Sequence, residues 1–93
     1  MTYIRALADA IRRELPDDAS TGDDELMLLY ALVCLTKREE VSNEDVHNAW
    51  STWMTLRDAE HEALVPYAAL PPEVRAEDSP FTAAIRQVAA GLE

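Results

Sequence analysis

Basic residues are scarce in this chain. Its 93 residues carry 18 acids against eight Lys and Arg, a net charge of −10, and Lys37 is the one lysine. Holding nucleic-acid phosphates takes clustered cations, so direct nucleic-acid binding is excluded, and anionic membrane surfaces are disfavoured for the same reason. Cysteine is just as scarce: Cys34 has no partner for an internal disulfide, sits in an apolar run and suits a reducing cytoplasm. Long hydrophobic runs are missing, since the longest, Leu26 to Leu35, is about half of what a membrane span requires. The start, Met1-Thr2-Tyr3-Ile4-Arg5, lacks the basic region and apolar stretch of a signal peptide. A cytoplasmic protein without membrane insertion is expected. Neither HExxH nor a paired-cysteine motif occurs, so no metal and no cofactor are expected.

What is present is helical periodicity. Ile4, Leu7, Ala8, Ile11 and Leu15 recur at three and four residues, which predicts an amphipathic helix that Pro16 stops. After a polar loop, residues 24–37 are apolar on all sides, with Asp23, Asp24 and Glu25 at the start and Lys37 and Arg38 at the end, as a helix dipole favours. This is the expected central helix, capped by Thr21 or Asp23. Ser42 and Asp45 form a capping-box pattern that opens a third helix over 43–57, with Val46, Ala49, Trp50, Trp53 and Met54 on one face. Residues 61–72 contain Pro66, Pro71 and Pro72 and read as an extended segment laid over the helices. A short turn through Glu73, Val74 and Arg75 follows, and Ser79 and Pro80 begin a last helix carrying Phe81, Ala84, Ile85, Val88 and Leu92. The expectation is an all-α, compact four-helix single domain over 1–93, with an ordered proline-rich loop packed across the third helix.

The residues with chemistry cluster late. His47 and Trp50 share an edge of the third helix, and His61 and Tyr67 lie in the segment beyond it. Aromatic rings beside hydrogen-bonding groups suit a small planar ligand or a partner side chain, and they equally suit simple packing of the loop. Cys34 lacks a convincing base, and Ser51 and Ser79 sit in helix-surface and cap contexts, so an enzyme is not expected.

Val46-His47-Asn48-Ala49-Trp50, then His61-Glu62-Ala63-Leu64-Val65-Pro66-Tyr67 and Leu70-Pro71, resemble the RyR domain, the repeat named for ryanodine receptors and found also in bacteria and phages. The resemblance covers the half from residue 41 to 93, leaving 1–40 as an N-terminal helix pair. Glu62 stands where that family has proline, and the family's Gly-Trp-x-Tyr-Gly stretch is missing between Trp50 and His61. The resemblance implies a non-enzymatic interaction or sensing module, with a site at His47, Trp50, His61 and Tyr67 and with Arg57 as the nearest cation for a phosphate. The excess of Arg over Lys, together with abundant Ala, is a coding bias shared with high-GC genomes such as those of actinobacteria and their phages.

Residues 16–46 hold nine acids and two bases. Such a surface steers encounter towards basic partners. The expected function is therefore a small non-enzymatic acidic interaction module, a phage accessory or host-modulating protein that binds the basic surface of a host or partner protein. The alternatives are a sensor or sponge for a nucleotide-like ligand, and a DNA mimic built on Asp17, Asp18, Asp23 and Asp24. The all-round apolar helix 24–37 is either fully covered by the other helices or leaves a stripe for a second copy in a homodimer.

Overall fold

In the computed structural model, which describes residues 2–16 and 23–92, the regular secondary structure is all helical, with no strand among the described residues. Helix α1 (Tyr3–Glu14) is followed by α2 (Asp24–Lys37), α3 (Asn43–Thr55), a single turn α4 (Pro72–Arg75) and α5 (Ser79–Ala90). The caps follow the sequence closely. Thr2 accepts from the Arg5 N–H to start α1, and Leu15, held extended before Pro16, ends it. Of the two caps expected for α2, Asp23 is the one observed, its Oδ1 accepting from the Leu26 N–H at 3.0 Å; Thr21 lies outside the described residues. Ser42 and Asp45 close a reciprocal capping box on α3.

Two boundaries differ from the expectation. Helix α3 ends at Thr55, because beyond it the Arg57 and Asp58 N–H groups both turn back to the Met54 carbonyl. Ser79 is not a cap: it has helical dihedrals, and the N-cap position falls to Asp78, whose side chain makes no capping bond. A 3-10 turn (Ala76–Asp78) joins α4 to α5, so residues 72–90 run as one bent helical stretch.

Helix α2 is central, packing against α1, α3 and α5. Ile11, Met27, Tyr30, Val41, Val46 and Ile85 are fully buried between them, each contributing about 1.5–3 kcal/mol of transfer free energy. Cys34 is in the same core, its thiol 3.9 Å from the Ile85 carbonyl and pushed to a higher pKa by burial. One flank of α2 stays open, where Leu32 is 51% exposed. At the end of α2 the chain turns through Arg38, which has φ 56° and ψ −134°, a left-handed conformation that only glycine adopts without strain. No helix among the described residues is long and apolar enough to cross a membrane.

The segment between α3 and α4 lies across α3, as its prolines suggest. The His47 Nε2–H donates to the Val65 carbonyl at 2.7 Å, and Leu70 is buried. This segment and the 72–81 stretch stand away from α2 and α3 far enough to leave a cleft.

Candidate functional site: an aromatic cleft with an unpaired carboxylate

The cleft has a volume of about 510 Å³, within the range of small-ligand sites. Its walls come from four parts of the chain. Tyr30 projects from α2, and His47, Trp50 and Trp53 from α3; His61 and Glu62 come from the loop, and Glu77, Asp78 and Phe81 from the bent stretch. The rings brace one another: Tyr30 and Phe81 have centroids 5.3 Å apart, His47 stacks on Trp50 at 5.7 Å, and His61 meets Trp50 edge-on at 5.2 Å. Such pairs hold the walls in place before anything binds.

Asp78 is the unusual group. Its Oδ2 is buried and has no hydrogen-bond partner, and burial pushes the carboxyl up to about 6, with nearby His47 pulling the other way and Glu77 adding to the rise. The same burial, and the Asp78 charge, raise the pKa of the Tyr30 hydroxyl. A buried carboxylate oxygen without a donor is costly, so the cleft is electrostatically incomplete. Glu62 and Glu77 add negative charge to its lining.

Hydrogen bonds fix the tautomers of both histidines. His47 Nε2 carries the hydrogen because its partner is a carbonyl, and His61 Nδ1 accepts from the Ala63 N–H at 3.0 Å, which leaves the hydrogen on Nε2. Ser51 Oγ is 3.4 Å from His47 Nε2, but that nitrogen has no lone pair to receive the serine's proton. The pair is therefore not an activated nucleophile.

Of the five residues singled out from the sequence, His47, Trp50 and His61 line the cleft. Tyr67 lies outside its lining, its ring centroid 6.1 Å from that of His47, and it faces a second groove. Arg57 lies outside as well. Its guanidinium pairs with Glu25, donates to the Trp53 carbonyl at 3.1 Å and sits 4.3 Å over the Trp53 ring. Trp53 also donates its indole N–H to Asp23 Oδ1 at 3.1 Å. Arg57 thus fixes a wall of the cleft and is not available within it for a phosphate. Of the acids expected to mimic DNA, Asp23 caps α2, Asp24 pairs with Arg12 at 2.9 Å, and Asp17 and Asp18 lie outside the described residues.

Sequence reading missed Asp78, although a signal was available. Val74, Asp78, Phe81 and Ile85 follow one another at helical spacing, so Asp78 interrupts an apolar stripe. Reading Ser79-Pro80 as a helix start hid this, because it placed Asp78 outside the helix.

Comparison with known proteins corrects the family. Residues 2–90 match the model of a family described as Domain of unknown function (DUF7701), and no RyR domain match is found. No curated protein and no solved structure shows a significant match. The residues that suggested an RyR domain have a local explanation: Pro66 and Pro71 shape a loop held by His47 and anchored by Leu70, which any chain laid across a helix requires. With one family model spanning both the N-terminal helix pair and the later half, the chain belongs to the DUF7701 family.

Proposed function

We propose that the protein is a non-catalytic interaction module whose cleft captures a guanidinium or ammonium group presented by the basic surface of a partner protein. The observation that carries this reading is the Asp78 carboxyl, one of whose oxygens is buried without a hydrogen-bond partner, in the lining of a cleft walled by Tyr30, Trp50, Trp53 and Phe81. A guanidinium answers both features, because it donates hydrogen bonds to a carboxylate while its flat face stacks on aromatic rings. The net charge of −10 supports the reading from long range, since it attracts basic surfaces before contact.

The test is titration with N-acetyl-arginine amide and with its citrulline counterpart, a neutral near-isostere, followed by Trp50 and Trp53 fluorescence and by thermal shift. The arginine probe is expected to saturate and to raise the melting temperature. Citrulline is expected to do neither, and Asp78→Asn to abolish the response. Equal responses to the two probes, or a response to arginine that survives Asp78→Asn, would sink the proposal.

A nucleotide-like ligand is the second reading, favoured by the free Nε2–H of His61 beside the Trp50 ring. The cleft lining contains Glu62, Glu77 and Asp78 and no arginine or lysine, so a nucleoside should bind better than its phosphate ester. Including both in the same titration separates the two readings.

A further inference from the structure

On the other side of Tyr67 the surface has the opposite chemistry. An open groove of about 680 Å³ runs between the start of α3, α4 and α5, and Arg75 and Arg86 both line it. Elsewhere in the chain Arg5 and Arg12 meet Asp24, Lys37 meets Asp45 and Arg57 meets Glu25. Arg75 and Arg86, like Arg13 and Arg38, meet no carboxylate among the described residues, but they are the two that line one groove together. Arg86 donates from Nε to the Val41 carbonyl at 3.0 Å, which aims the guanidinium and leaves its Nη donors unspent. Asn43 holds the floor, donating to Ser79 Oγ at 3.1 Å and accepting from Thr82 Oγ1 at 2.5 Å. Ser79 receives that bond, so its own hydroxyl hydrogen is free to donate. Glu44 is the one acid in the lining.

We propose that this groove is a binding site for a phosphate group, held by Arg75, Arg86 and the Ser79 hydroxyl, with the Tyr67 ring flanking the organic part of a phosphate ester. Two guanidiniums and a hydroxyl supply the hydrogen-bond donors and the positive charge that a tetrahedral oxyanion needs. The site is separate from the aromatic cleft and does not depend on the reading given to it.

The test is a ¹H–¹⁵N titration with inorganic phosphate and with phenyl phosphate, sodium chloride keeping the ionic strength constant. Saturating shifts are expected at the Arg75 and Arg86 side chains and at the Ser79 and Thr82 amides, with phenyl phosphate binding more tightly through Tyr67. Arg75→Gln should weaken binding about tenfold or more while the rest of the spectrum stays folded. Glu44→Gln, an exposed substitution, should tighten it about twofold to threefold by removing a like charge. Shifts that fail to saturate or that extend equally to Arg13 and Arg38 would overturn the proposal, as would an affinity unchanged in both variants.

Discussion

Replacing Asp78 with asparagine should make the protein more stable at neutral pH and should abolish the cation binding proposed for the cleft. An aspartate carboxyl moved from its ordinary 3.8 up to about 6 costs folding about 3 kcal/mol at pH 7.5, at roughly 1.36 kcal/mol for each tenfold change in proton affinity. Asp78 is only part-buried, so solvent screening reduces the expected gain to about 1–2 kcal/mol. The sign follows from the proton count. Between those two pH values the folded protein keeps a proton that the unfolded chain has released, so rising pH favours unfolding and the penalty is complete only above about pH 7. The stability gain of Asp78→Asn should accordingly be largest at pH 7.5 and shrink to well under about 1 kcal/mol near pH 4. Urea unfolding of both proteins at the two pH values, followed by tryptophan fluorescence, measures this directly. A variant that is less stable at pH 7.5, or a gain that does not depend on pH, would refute the account of Asp78 as a buried, unpaired charge.

Two other substitutions probe the frame around the cleft. Arg38→Gly should relieve a left-handed backbone, recovering about 1–3 kcal/mol of strain against about 0.5–1 kcal/mol of added chain entropy. The net rise in melting temperature should be a few degrees, and a fall would show that the turn is unstrained. His47→Phe keeps a ring in place but leaves the Val65 carbonyl without its 2.7 Å donor, at a cost of about 1–3 kcal/mol. Limited proteolysis should then cut within residues 61–70 faster than in the parent protein, and unchanged cleavage would show that the loop is held by other contacts.

Most of the helical frame was legible because it rests on local rules. Ser42 with Asp45, Asp23 before an acidic first turn, and Pro16 after Leu15 each act within a few residues, so their sequence pattern and their structure coincide. The loop's course across α3 was legible in outline, since its prolines forbid a helix, but which carbonyl His47 would reach was not. The cleft was half legible. His47, Trp50 and His61 were found because they are rare residue types at suggestive spacing. Asp78 was not, because an aspartate before Ser-Pro looks like ordinary turn chemistry until the bend between α4 and α5 rotates it inward. Arg57 was misplaced for a related reason: spacing set it on the right helix end, while its position depends on Glu25, thirty-two residues away. The resemblance to another family arose from a short helix motif, Val46 to Trp50, and from loop punctuation, and such local patterns report the path of a chain and not its ancestry.

The buried thiol of Cys34 gives the protein a built-in clock for its own opening. Its side chain has no solvent exposure, and burial holds the thiol in its unreactive protonated form, so thiol reagents reach it only when the core separates. With no second cysteine to confuse the signal, the rate of modification under native conditions counts the excursions in which α2 and α5 part. Any ligand that seats in the cleft or the arginine groove should slow that clock, whether or not its binding changes fluorescence.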